Sequence, residues 1–541
     1  MKRIVFISDF FVDQVLGGGE INDDECIKEL ISNGYDLLKI QSHLVTPKII
    51  QDNKEHFFII SNFMNLEFEC RVLLYDLNYL IYEHDHKYLK TRNPAIFKDF
   101  KSPSHIIVNY SFYKNATAVL CQSALHKKIV EENLNLDNII SLGGNMWSLE
   151  SLEHMREVGK KDKTNKTSVL NSAIEHKNTK DAIRFCQSKE YEYDLVSNPD
   201  YHAFLEQLGS NKRFVFFPKT PETLSRVAVE ARMMGCSVVT SPIVGATSEP
   251  WFKLKGEELI NFMEQKRKDI VTIILELVNK RKTPKQRPSI SILTTFHDAS
   301  KYMDNYMKNI TNQTIFSDCE LIMVDAGSVS NESQIIGQYA KKYSNIKHIR
   351  FEEKKPITEC LNIAIQNSES DYLTFAFMDD IKREDCLEIL YDEILSSDGI
   401  DLVYGDVICT NKTNDSFEDN LTNNTLFEHS RYEFSRENMV KCLPGPMPLW
   451  KKIIHEKNGF FNDVDCNYAD DWEMWLRSVS TGSKFKKVNE KVGLYYSGGR
   501  SNQSDNLEQK IEEAKIFFTY RNIFGTNFQR YAPYFKQFIG R

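Results

Sequence analysis

The sequence predicts an α/β protein, with two parallel-sheet lobes in the N-terminal half and a third sheet in the C-terminal half. Three observations carry that reading. Short apolar runs alternate with helix-patterned segments along the chain, the order that parallel sheets with right-handed crossovers require. The seam Arg281-Lys282-Thr283-Pro284-Lys285-Gln286-Arg287-Pro288 holds four positive charges, two prolines and no apolar residue, and prolines end helices and extend their predecessors. The 541 residues fit three or so folding units at roughly 100–200 residues each.

The N-terminal part spans 1–280. Ile4–Ser8 reads as a buried first strand, Asp23–Asn33 as a helix, and Phe57–Ser61 and Val72–Tyr75 as further strands. The lysine-rich stretch Lys160–Lys166 separates this lobe, about 1–165, from a second at about 166–280. There Ser168–Ala173 is a strand, Thr179–Cys186 a helix, Arg213–Phe217 a strand, Leu224–Met234 a helix and Ser237–Thr240 a strand. Glu257–Lys280 closes the part as a helix. Beyond the linker 281–288, Ser289–Thr295 opens the C-terminal part, 289–541. The Asn/Thr-rich stretch Thr410–Thr425 reads as a surface loop.

Composition removes several function classes. With 41% hydrophobic and 27% charged residues, the chain is neither disordered nor fibrous as a whole. A net charge of −8 lacks the basic excess of a generic nucleic-acid binder, so no nucleic-acid partner is expected. The eleven cysteines never come closer than 23 positions. No C-x-x-C is present, and the scattered odd count fits a reducing, cytoplasmic compartment. Asp9 and Asp13 interrupt the signal-peptide-like start, and no apolar run approaches the ~18 residues of a membrane span.

Four blocks in the C-terminal part carry chemistry. Ser289–His297 is a strand ending in polar residues, among them Thr295. Glu320–Ser328 is a strand ending in Asp325 and a glycine turn that includes Ser328. Asp371–Asp380 is a strand ending in the paired acids Asp379 and Asp380. Tyr468–Arg477 opens a helix with Asp470 and Asp471. Strands buried on both faces read as continuous apolar runs, so the ends of the first three should line one rim of a sheet. Paired carboxylates are hard oxygen ligands for Mg²⁺ or Mn²⁺, which commonly take one or two of them plus substrate phosphate and water. Asp325 can accept hydrogen bonds from a nucleobase or ribose. A carboxylate at a helix start, as at Asp471, is held by the dipole and can take up a proton. Each block alone also has a plain reading, as a solvated turn or a helix-capping acid; their order and spacing together favour a site.

Residues 289 to about 505 resemble family 2 glycosyltransferases, of the GT-A fold. The resemblance implies donor contacts at Thr295, Asp325, Ser328 and Asp379, a metal at Asp379 and Asp380, and a catalytic pair Asp470 and Asp471 with Asp471 as general base. Supporting matches are Asn362, Ala364, Tyr404-Gly405-Asp406, Gly445–Trp450 and Asn458–Asn462. Two departures stand out: Phe377 sits where many members carry the first Asp of the metal motif, and Tyr495–Arg500 has no His.

The N-terminal part resembles GT-B, family 4-like glycosyltransferases. Its Glu222 and Glu230 match an E-x7-E signature, Gly17–Gly19 a glycine loop, Glu83-His84-Asp85-His86 a polar catalytic loop, and Lys177 a phosphate-binding lysine. Gly19, Lys177, Glu222 and Glu230 are thereby implied as donor contacts and His84 as a catalytic or acceptor contact. His84 and His86 equally read as ordinary loop residues. The family's Gly-Arg before the lysine is Asn171-Ser172 here.

The expected fold is thus a GT-B-like pair of Rossmann-type lobes followed by a GT-A domain. The expected function is a bifunctional glycosyltransferase that uses nucleotide-sugar donors, with Mn²⁺ or Mg²⁺ in the C-terminal site and inversion there. Its acceptor would be a glycan or lipid-linked glycan. The alternative is one active GT-A unit beside a non-catalytic GT-B-like module for a glycan or partner. A nucleotidyltransferase reading is disfavoured, because no Gly-rich basic loop follows Ser289–Thr295. The aromatic, basic segment Asn527–Arg541 can touch a membrane surface or pack on the domain body, and Pro533 argues against a continuous helix there.

Overall fold

The computed structural model describes residues 3–280, 287–423, 425–427, 432–498 and 506–539. Most of the seam at 281–288, the Gly499-Arg500 pair and the last two residues lie outside them. The chain divides into two compact units: residues 1–102 with 109–284, and residues 103–108 with 285–541.

The first unit holds two parallel sheets. Strands β1 (Arg3–Ser8), β2 (Asp36–Gln41), β3 (Phe57–Ile60), β4 (Tyr79–Tyr82), β5 (Val119–Cys121) and β6 (Ile139–Ser141) form one, in the order β2-β1-β3-β4-β5-β6. Strands β7 (Thr164–Leu170), β8 (Tyr193–Val196), β9 (Asn211–Phe216) and β10 (Ser237–Thr240) form the other, in the order β10-β9-β7-β8. The helix Glu257–Asn279 serves both cores: Leu259, Ile260 and Met263 pack in the second lobe, while Ile270, Ile274 and Leu277 pack in the first. Between those stretches Arg267 bonds Glu25 at 2.6 Å and the Trp147 carbonyl at 2.7 Å, which ties the lobes with charge-assisted hydrogen bonds. These are Rossmann-like lobes.

One strand reading is corrected. Val72–Tyr75 is not a strand; Phe68–Leu74 is a helix. Cys70 and Leu74, four apart, are both fully buried, so the apolar run follows helical rather than alternating spacing. The strand comes later, at β4, whose four residues are all buried.

The second unit is an eight-stranded mixed sheet. Its strands are β11 (Ser291–Phe296), β12 (Glu320–Asp325), β13 (Ile346–Arg350), β14 (Tyr372–Phe375), β15 (Ile381–Lys382), β16 (Leu402–Thr410), β17 (Leu449–Lys451) and β18 (Phe485–Tyr496), in the order β13-β12-β11-β14-β17-β16-β18-β15. The first four are mutually parallel, and β17 runs antiparallel to β14. The strand read as ending in Asp379 and Asp380 stops at Phe375; both acids lie on the turn leading into β15. The helices Leu507–Thr519 and Gly525–Lys536 follow the sheet. Pro533 lies inside the second of them, so the expected interruption is absent, and Phe535 stacks on Phe517 with ring centres 4.3 Å apart. The short segment 103–108 belongs to this unit, where Ser104 Oγ donates to Asp463 at 2.7 Å. The stretch after Thr410 contains a 3-10 turn at Glu418–Asn420.

Candidate active site

In the second unit, parallel pairing brings three of the chemistry-bearing segments together. Strand β11 lies between β12 and β14, so Thr295, Asp325 and the turn after Phe375 share the carboxyl rim of the sheet, where open α/β sheets bind ligands. Thr295 is 6% exposed and its Oγ1 has no partner. Asp325 is fully buried; its Oδ1 accepts from Ser328 N at 2.8 Å, while Oδ2 has no partner. His348 Nε2 and Arg350 Nε each stand 3.9 Å from that oxygen, too far to bond it. The turn that holds this arrangement requires Gly327: φ is +84°, and a Cβ there would sit 2.8 Å from the Glu353 carbonyl carbon. Ser328 Oγ is spent on the backbone, accepting from Asp298 N at 2.9 Å, so it braces the turn.

Burial raises the Asp379 carboxyl above its usual range. Asp380 is pushed well up by burial and then by Asp379 beside it. Asp380 Oδ1 accepts from Tyr496 N at 3.1 Å. Two crowded acids with elevated pKa values are stabilised by a cation, so the pair fits a divalent ion completed by non-protein oxygens. Among the described residues no group of three or more His, Cys, Asp or Glu gathers as a metal site. The buried Lys382, whose Nζ has no partner and whose pKa burial lowers, lies next to Asp380 in charge terms. The sequence reading passed over it, since nothing marks a lysine in a two-residue strand.

Asp470 and Asp471 open the helix Asp470–Ser480. Asp470 Oδ2 accepts from Thr358 Oγ1 at 2.7 Å, and burial followed by Asp471 pushes its carboxyl up to about 7. Burial raises Asp471 as well, against hydrogen bonds that lower it. Asp471 Oδ2 accepts from Cys442 Sγ at 3.3 Å and Oδ1 from Trp472 N at 2.6 Å. The loop before it is held by Glu512, which takes the N–H groups of Asn467, Tyr468 and Ala469 at 2.7–2.9 Å. Neither Cys442 nor Glu512 stood out in the sequence; Glu512 lies 41 positions after Asp471 and only folding joins them.

The first unit treats its candidates differently. Lys177 Nζ and Glu222 pair with each other at 2.8 Å. Glu230 is 2% exposed and accepts from Trp147 Nε1 at 2.9 Å and Tyr201 OH at 2.6 Å. His84 bonds Asp23 through Nε2 at 2.8 Å and Gln122 through Nδ1. Gly19 lies over its ring, a Cβ there being 3.4 Å from Cγ. One buried nitrogen without a partner belongs to a residue that the sequence alone does not single out. Arg226 begins the helix Arg226–Met233 after Ser225, whose φ is +74°. Its Nη1 donates to Met146 O at 2.7 Å and its Nε lies 3.5 Å from Glu230, but Nη2 is buried without a partner. Gly18 passes so close that a Cβ would sit 3.2 Å from Arg226 Cδ. Its place at a helix start inside the E-x7-E stretch was the available signal.

The family match falls within the second unit. Residues 291–457 match Glycosyl transferase family 2. Glycosyltransferase GlyG of Streptococcus pneumoniae is 26% identical over 218 residues, 38% of this chain and 70% of that protein. The UDP-Gal:alpha-D-GlcNAc-diphosphoundecaprenol beta-1,3-galactosyltransferase of Escherichia coli is 21% identical over 264 residues, 47% of this chain and 90% of that one. The crystal structure of S. aureus TarS 1–349 aligns over 46% of this chain and 73% of its own at 15% identity, with a TM-score of 0.36, too low to add weight. Residues 291–457 are a family 2 glycosyltransferase domain of GT-A type, and the chain that carries it is a glycosyltransferase.

Proposed function

We propose that the second unit transfers a sugar from a nucleotide-diphosphate donor to a saccharide or lipid-linked saccharide, with inversion at the anomeric carbon. The observation that carries the reading is the set of buried, unpartnered polar atoms at one sheet rim, Thr295 Oγ1 and Asp325 Oδ2, near the crowded acids Asp379 and Asp380. Leaving such atoms unpaired costs about 1–3 kcal/mol each, a cost that a ligand removes. Asp325 would accept from the nucleobase. Asp379 and Asp380 would hold a divalent cation, which when bound supplies positive charge against the leaving diphosphate. Asp471 takes the proton of the acceptor hydroxyl as that oxygen bonds the anomeric carbon and the bond to phosphate breaks, its electron pair leaving with the diphosphate. Cys442 and Trp472 N aim the carboxylate, and Glu512 fixes its loop. The relatives' names point to glycan and lipid-linked acceptors, for which a cytoplasmic or membrane-peripheral site is the compatible location. Among the described residues no helix is long and apolar enough to cross a membrane.

The test is transfer by the full chain from UDP- and GDP-sugars, with Mn²⁺ and with a chelator. Asp471→Asn should lower turnover by about 10²–10⁴-fold with nucleotide binding kept. Undiminished turnover would remove Asp471 as the base.

A second transfer site in the first unit, of GT-B type, is favoured by one observation: the unpaired Arg226 Nη2 at a helix start beside Gly18 suits an anion such as phosphate. Against it, Lys177, Glu222, Glu230 and His84 are already engaged with protein partners, which favours a non-catalytic module. Nucleotide binding that survives Asp325→Ala and disappears when Arg226→Met is added to it would give the first unit a donor site, and sugar transfer persisting in Asp471→Asn would make that unit a second transferase.

A further inference from the structure

A cavity of about 550 Å³ opens beside Asp471, within the size range of small-molecule sites. Much of its wall comes from the two helices that follow the sheet, beyond the stretch matched to the family. Tyr531, Tyr534 and Phe535 line it from the helix Gly525–Lys536, and Glu513 lines it from the helix Leu507–Thr519. Tyr468 and Trp472 complete the aromatic wall on the side of the base.

The wall is held rigidly. Trp472 donates Nε1–H to Met439 O at 2.8 Å and stacks on Phe535 with ring centres 6.3 Å apart. Phe535 in turn stacks on Phe517. Adjacent residues of one helix have divided tasks: Glu512 secures the loop that presents Asp471, while Glu513 reaches the cavity and is steadied by Gln509 Nε2 at 2.9 Å. Tyr534 is 49% exposed, an aromatic face left to solvent at the mouth.

We propose that this cavity is the acceptor subsite and takes a pyranose ring of a saccharide, with Tyr531 and Tyr534 as stacking platform and Glu513 as the acceptor of its hydroxyl protons. The proposal rests on the reading of Asp471 as base. Its chemistry selects the occupant. Aromatic faces interleaved with carboxylates match a molecule whose ring C–H faces are apolar and whose edge is hydroxylated. A lipid chain would instead press hydrocarbon on Asp471 and Glu513 and strand both charges.

The test uses the full chain and the methyl glycosides of glucose, galactose and N-acetylglucosamine, with binding read by saturation-transfer NMR and so independent of turnover. At least one glycoside should receive saturation in the unaltered chain. Tyr534→Ala, at a half-exposed position, should weaken it about five- to tenfold. Glu513→Gln should weaken it about tenfold, with affinity for UDP or GDP retained. Saturation should persist in Asp471→Asn, whose turnover tests the base separately. The subsite is overturned if no glycoside is saturated, if both variants match the unaltered chain, or if Tyr534→Ala abolishes only sedimentation with phosphatidylglycerol vesicles.

Discussion

The two units treat their candidate site residues differently. In the first, the acids and the lysine are satisfied internally: Lys177 by Glu222, and Glu230 by Trp147 and Tyr201. Beside them Arg226 Nη2 has no partner, while the same guanidinium lies 3.5 Å from Glu230 through Nε. In the second, unpaired oxygens of Asp325 and Thr295 share the sheet rim, and Asp379 and Asp380 crowd each other. Satisfied clusters act as scaffold, whereas unsatisfied ones hold free energy that a ligand can release. Under the proposed function the sign differs as well: the first unit would take an anion, the second a cation and a hydrogen-bond donor.

Four measurements would break or sharpen that contrast. Asp325→Ala removes the free carboxylate oxygen and should weaken UDP or GDP binding about 10–100-fold by calorimetry, the worth of a hydrogen bond to a charged group; unchanged affinity would mean the rim is no nucleotide site. Glu230→Ala should destabilise the first unit by about 2–4 kcal/mol in denaturant unfolding, because Trp147, Tyr201 and Arg226 lose their shared partner inside the fold. A neutral outcome would show that Glu230 was kept for a ligand rather than for scaffold.

The third concerns pH. Asp470 and Asp471 have raised folded-state pKa values, and a base works only when deprotonated. Activity should therefore fall as pH drops, at a pH above the ordinary carboxylate range. The stability sign is the reverse: the native pair binds more protons than the unfolded chain, so this contribution is present at low pH and lost as pH rises through the folded values. Burial, not the Asp470 charge, raises the Asp471 carboxyl, so Asp470→Asn should leave the acidic limb of kcat/KM in place. A limb that moves down would show that the Asp470 charge acts on the base. A small effect is expected for Lys177→Met, at about 0–1 kcal/mol of stability, since its pair with Glu222 is part-exposed. A large loss of nucleotide binding there would give the first unit a working donor site.

Much of the strand framework was legible because parallel strands buried on both faces leave continuous apolar runs, as in Ile4–Ser8 and Glu320–Asp325. Val72–Tyr75 was misread because three apolar neighbours look alike in a strand and in a short buried helix. Asp325 and Thr295 could be assigned to one rim from sequence, since parallel neighbours end on the same side. Glu512, Glu513, Cys442 and Lys382 could not, because none has a local pattern and each matters only through a partner far along the chain.

By itself the sequence determined the α/β class, the order of the sheets and the acids that end or follow their strands, all of which depend on local periodicity and on runs of a few residues. Tertiary structure alone decided which polar groups found partners: Lys177 met Glu222 and Glu230 met Trp147, while Asp325 Oδ2 and Arg226 Nη2 were left without. It also decided that the last two helices wall a cavity at Asp471. The physical reason is that hydrogen-bond satisfaction and enclosure depend on distances of a few ångströms between segments tens to hundreds of residues apart, and those distances exist only in the folded chain.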